Sequence, residues 1–203
     1  MIPAAHAHGS LEEAIPGAQP TSLAYSWPPG ASCAKSQVRI AWNASGIFVR
    51  ADLEDEDVTT AATGDSQHMW MLGDVFEVFL EAEGAGFYTE MHVAPGNHRL
   101  HLRFRPEDFE AMAQKSLPLS ALIVRPPGFE SRYMKTPSGW AAEVRIPVGL
   151  VDPAGEILAQ SRWKASFCRY DAWSDARPPV LSSTSPHEDL SFHRRHEWRQ
   201  LCF

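Results

Sequence analysis

Two of the seven tryptophans stand in polar connecting segments rather than inside an alternating strand. Trp70 follows Gln67-His68-Met69, and Trp173 is flanked by Asp171-Ala172 and Ser174-Asp175. Loops above a rigid scaffold are where binding residues collect. Two flat indole rings in such loops offer apolar surface to a flat partner, whereas the alternative interpretation is that both rings close the ends of the domain.

Charged side chains near these rings indicate what the flat partner is. A sugar ring presents a flat face of C–H groups and a rim of hydroxyls, so its recognition needs aromatic surface together with charged hydrogen-bonding groups. Glu77, Arg169 and an arginine of the 98–105 segment, such as Arg99, are candidates to bind the rim. This combination predicts a carbohydrate-binding site.

The carboxylates of the sequence give no sign of a catalytic pair. Glycoside hydrolysis needs two carboxyl groups about 5 to 10 Å apart across a cleft, and nothing in the spacing of Glu77, Glu90 and Glu143 selects two of them. The HExxH, GxSxG and P-loop motifs are also missing from the sequence. We therefore expect a binding domain and not an enzyme.

The elements that must position these residues are short strands, in which apolar and polar residues alternate with a period of two. Trp42, Trp140 and Trp163 fall on the apolar sides of such strands, which predicts that they pack in the core. Only 107–114, which follows Pro106, indicates a helix. The sequence predicts an all-β fold, an antiparallel β-sandwich of two packed sheets with one short helix in a loop. The alternating segments are 38–42, 47–53, 74–80, 87–93, 98–105, 122–125, 130–135, 140–146 and 163–170.

The chain is predicted to hold one domain. Residues 1–37 are rich in proline and glycine, which indicates an irregular leader packed on the domain. Residues 38–203 are long enough for a single β-sandwich.

Composition excludes several classes of partner. A net charge of -7 argues against nucleic acid, because phosphate binding depends on clustered Lys and Arg. No apolar stretch approaches the roughly 20 residues that cross a bilayer, and 1–20 shows no signal peptide. We expect neither nucleic acid nor a membrane as partner, and the cellular location stays open. Cys33, Cys168 and Cys202 lack CxxC spacing, so free thiols are expected, with a single bridge as the alternative in an exported protein.

The order of several segments resembles the family nine carbohydrate-binding modules and their single-domain relatives. The resemblance extends from about residue 38 to the C-terminus and depends on the series rather than on one motif. The matching segments are Ala51-Asp52-Leu53-Glu54-Asp55, Trp70, Asp74-Val75-Phe76-Glu77-Val78-Phe79-Leu80, 88–96, 139–147, Phe167-Cys168-Arg169, Ser191-Phe192-His193 and Leu201-Cys202-Phe203.

This resemblance implies a binding mode in which two tryptophans enclose a terminal sugar. Trp70 and Trp173 are then the pair, Glu77 is the carboxylate on the sugar hydroxyls, and Arg169 lies near the second ring. Asp171 or Ala172 stands where the family has an amide. The implied ligand is a monosaccharide, an oligosaccharide or the end of a polysaccharide such as xylan or cellulose.

The resemblance also implies a structural calcium ion, which the family holds with carboxylates and carbonyls in loops. Asp55 and Asp57 in Glu54-Asp55-Glu56-Asp57 suit this role, and a solvated acidic loop is the alternative. No other cofactor is expected.

Two competing functions remain at this stage. Related sandwiches in redox proteins hold haem between a Met and a His or Lys, and Met91, His98 and His101 offer such ligands across one hairpin. The other alternative is a protein-interaction module that has lost its sugar site, which would gain support if the rings of Trp70 and Trp173 lie apart.

Overall fold

The computed structural model of the chain describes residues 1–153, 155–175 and 177–203. These residues form fourteen strands: β1 (Ile2–Pro3), β2 (Ala5–His6), β3 (Thr21–Ser22), β4 (Tyr25–Trp27), β5 (Ser36–Asn43), β6 (Gly46–Glu54), β7 (Val75–Ala82), β8 (Tyr88–Ala94), β9 (His98–Phe104), β10 (Glu130–Thr136), β11 (Gly139–Pro147), β12 (Trp163–Asp171), β13 (Val180–Ser183) and β14 (Arg199–Cys202). Helix α1 (Leu11–Ala14) is a single turn and α2 (Pro106–Ala113) is two turns. Short 3-10 turns occupy Ile15–Gly17, Met69–Met71, Pro95–Asn97, Leu119–Leu122, Val148–Leu150 and Arg195–Glu197.

The strands form two sheets that pack face to face. The first sheet has the order β1-β14-β12-β7-β8-β9, with β13 paired to β12 and β4 paired to β13. The second sheet has the order β10-β11-β6-β5-β2, with β3 paired to β5. The predicted all-β sandwich is confirmed. Both sheets are mixed rather than purely antiparallel, because β1 pairs parallel with β14 and β2 pairs parallel with β5.

The main core lies between the sheets and follows the period-two alternation of the long strands. Phe76, Val78 and Leu80 of β7 face it, opposite residues of β6 and β11 such as Val49 and Val144. Trp42, Trp140 and Trp163 are all buried in this core, as the alternation predicted.

A second core covers the outer face of the first sheet, where Glu90 and His92 lie. Phe79 packs against Phe192 and Trp198, Tyr88 packs against Trp198, and Phe104 stacks on Tyr88. The C-terminal loop, defined as residues 184–198, crosses over these rings and is held in part by a hydrogen bond from Trp198 Nε1 to the Phe192 carbonyl at 2.7 Å. Polar residues of the same face are therefore buried as well.

The segment predicted as an irregular leader contributes edge strands to the sandwich. β1 to β4 all precede residue 37, and β5 begins at Ser36. β1 and β4 extend the first sheet while β2 and β3 extend the second. Sequence reasoning missed these strands because each is only two or three residues long, too short to show a period.

The helix predicted at 107–114 is α2. Pro106 occupies its first turn, where a missing N–H costs no hydrogen bond. The Asp108 carboxylate accepts the backbone N–H of Arg105 at 2.6 Å, which fixes the start of the helix. Among the described residues, every helix is too short or too polar to cross a bilayer.

Candidate functional site

A cavity of about 330 Å³ opens on the outer face of the first sheet, within the second core. Strands β7, β8, β9 and β12 provide its floor, and α2 and the C-terminal loop provide its walls. We call it the aromatic cavity. Its rings are Trp70, Phe79, Phe104, Phe109, Tyr170 and Phe192, and its carboxylates are Glu77 and Glu90.

The carboxylates of the aromatic cavity share one histidine. Glu77 and His92 are cross-strand partners on β7 and β8, and Glu90 lies two residues before His92 on the same face. His92 Nε2 is 2.5 Å from Glu90 Oε1 and 3.4 Å from Glu77 Oε1. All three side chains are at most 4% exposed. Register between two adjacent strands therefore holds this triad, which we call the Glu-His-Glu triad.

Burial and mutual contact shift the protonation of the triad. Burial, together with the charge of Glu90, raises the pKa of Glu77, although His92 opposes this. The pKa of Glu90 is lowered, because His193 and His92 outweigh the effect of burial. Glu77 and Glu90 likewise outweigh burial at His92 and raise its pKa. The arrangement is an ion pair between Glu90 and His92, beside a carboxyl group that keeps its proton to higher pH than usual.

Two buried atoms of the triad have no hydrogen-bond partner. They are Glu90 Oε2 and His92 Nδ1. The nearest basic group to Glu90 Oε2 outside the triad is His193 Nδ1 at 3.7 Å, which is instead hydrogen-bonded to the Tyr88 hydroxyl at 2.7 Å. Buried polar atoms are nearly always paired, so these two point to a ligand, water or ion in the cavity.

Trp70 lies beside the triad, as the sequence suggested for Trp70 and Glu77. Its indole stacks on His68 with ring centroids 5.0 Å apart, and meets the His92 ring edge-on at 5.6 Å. The ring is half-buried and lines the cavity, so part of its surface is available to a ligand.

Trp173 lines a different cavity from Trp70. It borders an open groove of about 950 Å³ together with Cys33, Asp55, Asp57 and Asp171. The Arg177 guanidinium lies 4.0 Å from the centre of its ring. The two rings expected to enclose one ligand thus line separate cavities among the described residues.

Arg169 faces away from the aromatic cavity, which corrects the expectation that it binds the same ligand as Glu77. In the register of β12 on β7, Arg169 pairs with Phe76 and Cys168 pairs with Glu77. Neighbouring residues of a strand point to opposite faces, so Arg169 points between the sheets. It is 1% exposed.

The Arg169 guanidinium joins the two sheets at one end of the main core. It donates to Ser36 Oγ at 3.0 Å, to the Glu54 carbonyl at 2.6 Å, and to carboxylates of Asp55 and Asp171 at 2.8 and 2.7 Å. Burial raises the pKa of Asp171 to about 6, and Arg169 opposes this. Arg169 and Asp171 therefore make these contacts inside the β-sandwich.

Asp74 belongs to the same buried cluster of carboxylates as Asp55 and Asp171. Its carboxylate accepts the backbone N–H groups of Thr59 at 2.6 Å and Ala172 at 2.8 Å. Burial raises the pKa of Asp74 to about 7, since these hydrogen bonds offset only part of the cost.

Arg99 also makes its contacts within this protein. Its guanidinium pairs with Asp65 at 2.7 Å and donates to the Phe129 carbonyl at 3.2 Å. It pairs with Val93 in the register of β8 and β9, on the opposite face from the aromatic cavity.

The side chains of Asp55 and Asp57 do not converge on a common ion. Asp55 contacts Arg169 and accepts the Asp57 backbone N–H at 2.8 Å, while the Asp57 carboxylate binds Ser174. Carboxylate oxygens of Asp55, Asp74 and Asp171 do approach within 4.8 Å of one another. Arg169 already supplies positive charge to that group, so these residues do not fit the expected calcium site.

Two of the three candidate haem ligands are occupied by packing or hydrogen bonds within the fold. Met91 is buried in the main core. His101 bonds through both ring nitrogens, with Nε2 2.5 Å from Thr89 Oγ1 and Nδ1 in a short contact with the Pro127 carbonyl. His98 stays half-exposed at the start of β9. Neither His101 nor Met91 is available as an axial ligand.

Sequence reasoning missed Glu90, His92, Tyr170 and His193. A signal was present for the first two, since Glu90 and His92 share the face of β8 opposite Met91 and Val93. Their burial depends on the C-terminal loop, which the strand pattern does not reveal.

Comparison with known proteins places the chain in a family. The family model described as "Carbohydrate family 9 binding domain-like" matches residues 8–166, more than half of the chain. Among curated proteins, none matches. Similar solved structures show the same fold at low sequence identity. A Bacteroides uniformis protein to which carbohydrate binding has been attributed has a TM-score of 0.76 at 17% identity, covering 100% of this chain and 98% of that one.

Two further structures are of a family 9 carbohydrate-binding module from Caldicellulosiruptor kristjanssonii. In complex with cellotriose it has a TM-score of 0.70 at 12% identity, covering 99% of this chain and 92% of that chain. In complex with glucose it has a TM-score of 0.70 at 11% identity, covering 99% and 94%. These structures share the fold, and the family match over residues 8–166 shows that the chain belongs to the carbohydrate family 9 binding domain-like family.

Proposed function

We propose that the aromatic cavity binds a carbohydrate, either a monosaccharide or the end of an oligosaccharide or polysaccharide. The observation that carries this proposal is the meeting of the half-buried Trp70 ring with the carboxyl groups of Glu77 and Glu90 in one cavity. The family 9 modules of C. kristjanssonii, which share the fold, were solved with cellotriose and with glucose.

The chemistry of the cavity suits a pyranose. Indole and phenyl faces pack against the axial C–H groups of the ring, while the carboxyl oxygens accept hydrogen bonds from its hydroxyls. Glu90 Oε2 lacks a partner within the protein and is the acceptor that a sugar hydroxyl would satisfy. A volume of about 330 Å³ is at the small end of ligand cavities and suits one or two sugar rings.

The proposed role is binding without catalysis. Glu77 and Glu90 both contact the same ring nitrogen of His92, so the two carboxyl groups are not held apart as a hydrolase requires. In a glycosidase the acid and the second carboxylate instead face opposite sides of the scissile bond.

Trp70→Ala is expected to weaken sugar binding by about 10-fold, because the loss of a stacking ring removes about 0.5 to 1.5 kcal/mol in addition to the free energy of its buried area. Calorimetric titration with glucose, cellotriose and xylo-oligosaccharides measures the affinity, and thermal unfolding verifies that the variant is folded. The matched control is Trp173→Ala, which removes the indole of the other cavity and is expected to bind as the wild type does. The reverse result, with binding lost only in Trp173→Ala, would move the site to the open groove.

A further inference from the structure

We propose that the Glu-His-Glu triad of Glu77, Glu90 and His92 is a binding site for a divalent transition-metal ion of the Zn²⁺ class, at the floor of the aromatic cavity. This site goes beyond sugar binding and does not depend on it.

The ligand atoms are preorganised by the sheet. One atom from each of the three side chains lies within 4.8 Å of the other two. A tetrahedral zinc ion with bonds of about 2.0 to 2.2 Å holds its ligands roughly 3.3 Å apart. The separation of 3.4 Å between His92 Nε2 and Glu77 Oε1 fits this value.

Glu90 Oε1 and His92 Nε2 are closer, at 2.5 Å, because they are hydrogen-bonded to each other. Metal binding displaces the proton from an imidazole nitrogen, and the two atoms then need to separate by less than about 1 Å. One imidazole with two carboxylates is a ligand set that zinc accepts in proteins, and imidazole also suits Co²⁺ and Ni²⁺.

An unpartnered oxygen of the triad is the independent sign of an ion. Glu90 Oε2 is buried without a hydrogen bond, and Glu90 itself lines the cavity. A carboxylate that binds an ion through both oxygens would use this atom.

The two carboxylates of the triad are accompanied by the imidazoles of His92 and His193. No lysine or arginine is among the described residues that line the cavity, so no permanently positive side chain there competes with a cation. The other acidic group, Asp55 with Asp74 and Asp171, differs in this respect because Arg169 contacts two of its members. Glu77 and Glu90 also border open cavity space, so an ion has a path to them and keeps a coordination position for water.

The test is a titration of the full chain, stripped with a chelator, with ZnCl₂ by calorimetry and with CoCl₂ by visible absorption. No sugar is present, so a negative result leaves the proposed carbohydrate binding in place. The wild type is expected to bind a single ion per chain, to show the d–d bands of low-coordinate Co²⁺, and to unfold at higher temperature with Zn²⁺. Glu90→Gln and Glu77→Gln keep the side-chain shape and are expected to weaken binding at least about 10-fold.

The matched control is a double variant, His6→Ala with His8→Ala, because these two exposed rings lie 4.6 Å apart and are the competing place for a metal ion. It is expected to bind as the wild type does. Three results would overturn the proposal: no saturable binding by the wild type, binding unchanged in both glutamine variants, or binding lost in the double histidine variant alone.

Discussion

Arg169→Ala is expected to lower the free energy of unfolding by about 3 to 5 kcal/mol, because it leaves buried carboxylates without their counter-charge. Arg169 and the carboxylates of Asp55 and Asp171 are all less than a tenth exposed, so water cannot replace the lost contacts. The same change also removes a hydrogen bond to the Glu54 carbonyl, which joins the two sheets. Urea unfolding followed by tryptophan fluorescence measures the effect.

The matched control is Arg145→Ala, which breaks a partly exposed ion pair with Glu12 at 2.7 Å. An exposed pair contributes about 0 to 1 kcal/mol, so this variant is expected to unfold almost as the wild type does. An equal loss of unfolding free energy in the two variants would show that the buried contacts of Arg169 do not stabilise the β-sandwich. Sugar affinity is a second measurement on the same variant. If Arg169 contacted the sugar directly, Arg169→Ala would weaken sugar binding even in protein that remains folded.

The contribution of His101 to the free energy of unfolding is expected to be lost as pH is lowered from about 7 to 4, because the buried ring resists protonation. Burial, reinforced by the charge of Arg103, lowers the pKa of His101 from 6.5 to about 4. Between these values the unfolded chain binds a proton that the folded chain does not, so acid favours unfolding. The contribution is fully present above pH 6.5 and amounts to as much as about 3 kcal/mol.

His101→Gln isolates this contribution. Its amide can donate to the Pro127 carbonyl and accept from the Thr89 hydroxyl, as the neutral imidazole does, and it does not titrate. Other groups that titrate in the same range, such as Asp74, are present in both proteins, so the difference in unfolding free energy reports on His101 alone. A difference that stays constant from pH 7 to 4 would contradict the prediction.

Sugar binding and metal binding would use the same side chains in different ways. Trp70 contributes a ring face to a sugar but has no ligand atom for an ion, whereas His92 lies beneath it and reaches both carboxylates. Trp70→Ala therefore separates the two proposals, because it should weaken the sugar and leave the metal ion bound. Glu90→Gln should affect both, since its oxygen is the unpartnered acceptor in each case.

The amino-acid sequence was sufficient to predict the fold class, the core tryptophans and helix α2. Each depends on short-range information: alternation along a strand identifies the buried face, and a proline before an acidic turn marks the start of a helix. Trp70 and Glu77 were also predicted together, and they lie seven residues apart, in the turn before β7 and within β7.

Contacts between segments that are distant in sequence could not be predicted from alternation or short motifs. The register of β12 on β7 turns Arg169 between the sheets while Glu77 lies on the outer face, and a shift of β12 by one residue would bring Arg169 to the outer face. The C-terminal loop buries Glu90 and His92, which alternation alone would leave in water. The sequence of a strand shows which residues share a face, but the segment packed against the strand determines what covers that face. At this site the covering segment lies about 100 residues further along the chain.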